Sequence, residues 1–220
     1  MTANNGTSYR MKDIEEYILA HIDPEPELLK KIDRETRAKM LHSNMNSGHL
    51  QGRFLVMITR MIEAKRVLEI GAFTGYSALC FAEGLREGGE VHTIEVNDEL
   101  EDLLRANFKE SEHGHKIKLH IGDAGVLIPT FRDESFDLAF LDADKEDYWH
   151  HYEALLPKIR KGGIVLVDNT LWYGKVTRKA NSNDHATRAV QDFNDRVIKD
   201  NRVEKVILPL RDGVTFIRKK

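Results

Sequence analysis

Two apolar runs in this sequence end in oxygen-bearing side chains. FDLAFLD closes on Asp142 and is followed by Asp144 and Lys145, while GGIVLVD closes on Asp168 and is followed by Asn169. Carboxylate and amide oxygens, with no imidazole or thiolate at matching spacing, suit a hard divalent cation: Mg²⁺ first, with Mn²⁺ or Ca²⁺ as alternatives. Such a cation favours the anion of a weak acid, so a phenol with a pKa near ~10 could become a nucleophile at neutral pH. Two adjacent hydroxyls would chelate it together, which selects catechols. Lys145 lies three residues past Asp142, where a dication would disfavour its charged form and make it a candidate general base. The acids could instead cap the helices that follow, Asp144 above all, and Lys145 could be a solvated charge.

A second constellation lies upstream. The run VLEI leads into Gly71-Ala72-Phe73-Thr74-Gly75, after which Tyr76, Leu79, Cys80 and Leu85 mark a helix. A glycine turn between strand and helix sits where open parallel sheets bind ligands. Its spacing, E-x-G-x-x-x-G, departs from the G-x-G-x-x-G of pyrophosphate-binding turns. Glu69 at this turn would repel a phosphate and balance an amino group or a sulfonium. Glu95 ends the next strand about 20 residues past the turn, where an acid bonds ribose hydroxyls. Asp123, in Gly122-Asp123-Ala124, could accept from an adenine amine or simply cap a helix.

Other chemistries find less support. His113, His115, His120, His150, His151 and His185 stand in polar stretches without H-E-x-x-H spacing and are expected on the surface. No G-x-S-x-G elbow surrounds Ser47, Ser77 or Ser135, and Cys80 reads as core.

These residues need strands to carry them. RVLEI, EVHTIEV, KIKLHIG, FDLAFLD and GGIVLVD alternate with amphipathic stretches, the pattern of a parallel sheet covered on both faces. VEKVILPL and GVTFIRK, joined across Arg211-Asp212-Gly213, predict an antiparallel hairpin. Upstream, helices are expected from Met11 to His21, Glu25 to Leu41 and about Leu50 to Ala64, the last turning Phe54, Leu55, Ile58, Met61 and Ile62 to the core. The chain reads as a single domain, residues 1–220, with residues 1–48 as a helical cap. Its 220 residues, 41% of them apolar, are enough to bury one core. The start is polar, no apolar run approaches the ~20 residues that span a bilayer, and Cys80 is the one cysteine. A cytoplasmic protein is expected, without membrane association. Net charge is −3 with mixed signs, which points to a small-molecule partner and away from nucleic acid.

The segments VLEIGAFTGYSALCFA, TIEVN, FLDADKEDYWHHYEAL and GGIVLVDNTLWYGKV resemble the cation-dependent O-methyltransferases of the catechol and caffeoyl-CoA type. The resemblance runs from about Glu35-Thr36-Arg37 to DGVTFI. It implies a Rossmann-like methyltransferase fold: a seven-stranded, mostly parallel sheet with an antiparallel C-terminal hairpin and helices on both faces. It implies methyl transfer from S-adenosylmethionine to a phenolic hydroxyl, and usually a homodimer. By matching position Asp142, Asp168 and Asn169 would hold the metal, and Lys145 would be the base. Ser47, Glu69, Gly71, Phe73, Ser77, Glu95, Asp123, Ala124 and Asp142 would contact the cofactor, while Met45 and Trp172 would meet substrate. The DADK loop follows the plant and bacterial branch, so catecholamine specificity is not implied. A metal-independent N- or C-methyltransferase and a non-catalytic adenosyl-binding protein of the same fold are the alternatives.

Overall fold

The computed structural model describes residues 11–40 and 45–220. The polar start of the chain and Leu41, the expected end of the second helix, lie outside the described residues. The first helices are α1 (Met11–Ala20), α2 (Glu27–Lys39) and α3 (Gly48–Met61). Helix α2 starts two residues later than the spacing predicts, because Pro26 pushes Glu25 toward extended backbone. Helix α3 both starts and ends earlier than expected. Met61 does not face the core: it shares an exposed stripe with Met57, four residues back, while Leu55, Ile58 and Thr59 are buried.

The expected apolar runs become β1 (Arg66–Ile70), β2 (Glu90–Glu95), β3 (Ile117–Ile121), β4 (Phe136–Leu141) and β5 (Ile159–Val167). The hairpin is β6 (Val203–Leu208) and β7 (Val214–Lys219). They form one seven-stranded sheet in the order β3-β2-β1-β4-β5-β7-β6. The first five strands pair in parallel, and β7 is antiparallel to both β5 and β6, so six strands run one way and β7 opposes them.

Alternate side chains feed two cores. On one face Val67, Leu138, Phe140 and Leu166 pack with α3, α4 (Tyr76–Gly84) and α5 (Glu101–Glu110). On the other, Leu68, Ala139, Leu141, Val165 and Val167 pack with α6 (Ala124–Leu127), α7 (Tyr148–Leu155) and α8 (His185–Val197). Phe140 and Leu141 are both fully buried, each contributing about 1.5–3 kcal/mol relative to exposure.

Register then defines a ligand edge. Ile70 stands opposite Ile94 and Leu141, and Leu141 stands opposite Val167. The next residues, Gly71, Glu95, Asp142 and Asp168, therefore leave the sheet side by side at its carboxyl end. The ladder extends into them: the N–H of Gly71 donates to Ile94 at 2.9 Å, that of Asp142 to Ile70 at 3.0 Å and that of Asp168 to Leu141 at 3.0 Å. Because β7 runs the opposite way, the turn before it delivers Arg211, Asp212 and Gly213 to the same edge.

Candidate active site

A cleft of about 800 Å³ opens along this edge. One end is built by the turn after β1. A Cβ on Gly71 would lie 2.0 Å from the backbone oxygen of Asp142, and its φ is +96°, so only glycine lets the loops after β1 and β4 approach this closely. Phe73 is also held in left-handed backbone, at φ 49°. Its N–H donates to Glu95 Oε2 at 2.8 Å, and the Asn97 N–H donates to Glu95 Oε1 at 2.9 Å. Asp123 lines the cleft and caps α6, accepting from the Gly125 N–H at 2.6 Å. Of the two roles read from the sequence, the cap is formed.

Ser47, Gly71, Phe73, Ser77, Glu95, Asp123, Ala124 and Asp142 all line the cleft. Glu69 does not: it is fully buried behind the wall. The Thr93 hydroxyl donates to its Oε2 at 2.5 Å, and its Oε1 has no partner. Burial, reinforced by the charges of Asp142 and Glu95 and opposed by the hydroxyls of Ser77 and Thr93, pushes its pKa up to about 7. An orphaned carboxylate oxygen beside other acids fits a cationic ligand.

The other end of the cleft gathers Asp142, Lys145, Asp168, Asn169, Trp172 and, from the N-terminal segment, Met45. Lys145 donates to Asp142 Oδ1 and to the Ala143 carbonyl, each at 3.0 Å. Its ammonium lies 4.8 Å from the Tyr148 ring centroid and 5.8 Å from that of Trp172. Asp144 also borders the cleft and caps the short turn that follows by accepting from the Glu146 N–H at 3.0 Å. Asp168 is only 2% exposed. Burial, and then the charge of Asp142, push its pKa up to about 6. The Tyr148 hydroxyl donates to its backbone oxygen at 2.9 Å, fixing the end of β5 against α7.

This donor set fits a hard cation. The charge of Asp142 disfavours ionisation of Asp168, so this pair of acids, with an amide next in sequence, would gain from a positive charge beside it. Among the described residues no group of three or more His, Cys, Asp or Glu side chains is poised to hold a metal; the ends of β4 and β5 supply Asp142, Asp168 and Asn169. The segment after Asp168 is strained, with Asn169, Trp172 and Tyr173 at φ 54°, 46° and 54°. It is strapped to the hairpin turn, for the Thr170 N–H donates to Gly213 at 3.0 Å and the Leu171 N–H to Asp212 at 2.9 Å. Left-handed residues persist where their surroundings over-determine them, commonly at ligand sites.

The sequence profile of the O-methyltransferase family matches residues 19–220. The chain belongs to the O-methyltransferase family. It is 38% identical over 219 residues to a caffeoyl-CoA O-methyltransferase of Zea mays, covering 94% of this chain and 83% of that relative. A probable caffeoyl-CoA O-methyltransferase of Dictyostelium discoideum is 30% identical, over 100% of this chain and 94% of its own length. Among solved structures, a methyltransferase of Podospora anserina bound to SAH superposes with a TM-score of 0.87 at 29% identity, covering 100% of both chains. An O-methyltransferase of Streptomyces achromogenes involved in tomaymycin synthesis, in complex with SAM, gives 0.86 at 27% identity over 94% of this chain and 96% of that one.

Three further side chains shape this O-methyltransferase cleft and were not read as site residues in its sequence. Gln51 of α3, fully buried, donates to Asp168 Oδ2 at 2.7 Å. Arg211 of the hairpin turn lines the cleft and donates to Gln51 Oε1 at 3.0 Å and to the Ser47 carbonyl. The third, His151, corrects an expectation of surface placement: it is 7% exposed, lines the cleft and leaves Nδ1 buried without a partner. Burial lowers its pKa. The available signal was the stripe of Tyr148, His151, Tyr152 and Leu155, all buried on one side of α7. His120 is half-buried as well, 3.0 Å from the His92 ring nitrogen, whereas His115, His150 and His185 are exposed.

Proposed function

We propose that this O-methyltransferase moves a methyl group from S-adenosylmethionine to one hydroxyl of a catechol-like aromatic substrate, in a reaction that depends on a divalent cation. The observation that carries the reading is the meeting of Asp142, Asp168, Asn169 and Lys145 at one end of a single cleft whose other end is formed by the Gly71 turn, Glu95 and Asp123. The SAM-bound and SAH-bound structural neighbours support the choice of cofactor.

When bound, the cofactor supplies an electrophilic methyl on a sulfonium, and the cation, Mg²⁺ in this reading, supplies positive charge that favours ionisation of the phenol. The chain's own residues do the rest. Asp142, Asp168 and Asn169 would hold the cation. Lys145, its charged form disfavoured by the bound cation, would as the neutral amine accept the phenolic proton at Nζ. Trp172 and Met45 flank the aromatic ring at the cleft mouth. Glu95 takes the ribose hydroxyls, Asp123 and Ala124 the base, and Ser47, Gly71, Phe73 and Ser77 shape the wall. Glu69, behind that wall, favours positive charge in the pocket. Bringing phenolate and sulfonium together cancels charge as the reaction proceeds, so a cleft that excludes water favours the transition state, and fixed orientation adds to the rate.

No described helix is long and apolar enough to cross a membrane. The buried free thiol of Cys80 supports a cytoplasmic location. Exposed apolar side chains on α3, Met57 and Met61, and on the edge strand β6, Val206 and Ile207, support a homodimer, which light scattering would test.

The deciding assay incubates the protein with S-adenosylmethionine and simple catechols, with Mg²⁺ or with EDTA. Product that requires Mg²⁺ and two adjacent hydroxyls supports the reading. Methylation indifferent to EDTA removes the cation from it.

A further inference from the structure

The carboxylate of Asp168 is held from both sides by groups that nothing above assigns to the reaction. The Asn169 N–H donates to Oδ1 at 2.8 Å, and the Gln51 amide donates to Oδ2 at 2.7 Å. The orientation of that amide is determined. Its oxygen receives the Arg211 guanidinium at 3.0 Å, so its NH₂ must face Asp168. The same guanidinium nitrogen donates to the Ser47 carbonyl at the start of α3. Gln51 is 0% exposed, Asp168 2% and Ser47 5%, so water has little access to the Gln51–Asp168 link, whereas Arg211 reaches in from the exposed surface. Arg211 reaches this position from a backbone at φ 49°, a region glycine enters freely and arginine does not.

The chemistry of the relay matters. A guanidinium placed directly on Asp168 would compete with any incoming cation for the same oxygens. A neutral amide between them transmits orientation and part of the guanidinium's field, yet leaves the charge of the carboxylate for the cation. Groups that orient a ligand in this way commonly set metal affinity.

We propose that Arg211 and Gln51 form a positioning relay that fixes the rotation of Asp168 for divalent-cation binding and ties it to the Ser47 end of α3. The proposal rests on the cation reading above. The test is Mn²⁺ binding followed by electron paramagnetic resonance, without S-adenosylmethionine or acceptor, on the wild-type protein, Gln51→Met, Arg211→Gly and the double variant, with thermal melting of each.

Each single variant is expected to weaken Mn²⁺ by about 10–100-fold. The double variant is expected to bind no worse than the weaker single, because the two residues act in series. Arg211→Gly should melt no lower than wild type, since glycine relieves the backbone. That separates positioning from folding: a purely structural arginine would lower the melting temperature and leave Mn²⁺ affinity unchanged, which would overturn the proposal. Wild-type affinity in Arg211→Gly or Gln51→Met overturns the relay alone. Absence of Mn²⁺ binding by the wild-type protein overturns the cation reading and the relay with it.

Discussion

Lys145, the proposed base, sits within a crowded space. Its side chain is 12% exposed, paired with Asp142 and set against two aromatic rings, so its ammonium is oriented before any substrate arrives. Lys145→Ala is expected to lower kcat by about 10²–10⁴-fold while leaving SAH affinity, measured by calorimetry, close to wild type. Unchanged turnover would remove the base role. Asp168 offers a second residue-scale test. Its carboxyl rises from an ordinary 3.8 to about 6 in the fold, so the folded chain holds that proton more tightly than the unfolded one. Stability contributed by the protonated form is complete below the unfolded value and lost as pH rises through the folded one. Asp168→Asn has no such loss. In EDTA, melting of the variant should therefore gain on wild type between about pH 4 and 7, and added Mg²⁺ should raise wild type more than the variant. A constant difference across pH would show that the buried acid carries no such penalty.

At the scale of elements, the tightest junction is between the turns after β1 and β4. Gly71→Ala would drive a methyl group into the Asp142 carbonyl, a backbone atom with no rotamer to escape by. The expected cost is at least about 2 kcal/mol, from steric clash and positive φ together, read by urea unfolding, and SAH binding should weaken with it. The parallel strands were legible because each is a short apolar run bounded by polar residues, and the hairpin because two such runs flank a glycine turn. Helix faces were harder. Met61 satisfies the apolar spacing yet points outward, since the stripe that meets the sheet is already filled by Leu55 and Ile58. His151 looked like part of a polar HH pair, although its partners on the helix, Tyr148, Tyr152 and Leu155, are all core.

Considered as a whole molecule, the cleft draws on almost every strand end, and that decides which of its parts a linear reading can reach. Asp142, Asp168 and Asn169 end apolar runs and mark themselves. Gln51 does not: one amide among apolar helical positions reads as an interruption until Asp168, 117 residues away, stands beside it. Arg211 is further hidden, because a charged residue in a turn is ordinary and its two acceptors lie at the start of a helix 160 and 164 residues upstream.

Those separations also govern how the molecule is made. Closing a loop of that length costs chain entropy before any contact repays it, and non-local contacts are the slow ones in folding. During refolding from urea, the consecutive elements β1, α4, β2 and α5 draw on neighbouring sequence, whereas the link from Arg211 to Ser47 must wait for two distant parts of the chain to meet. Ellipticity should accordingly recover in an earlier phase than Mn²⁺ capture, and simultaneous recovery would mean that the distant segments are already joined in the collapsed chain. A nearly finished fold of this kind would have its secondary structure and much of its core in place, and still lack the grip on the proposed cation.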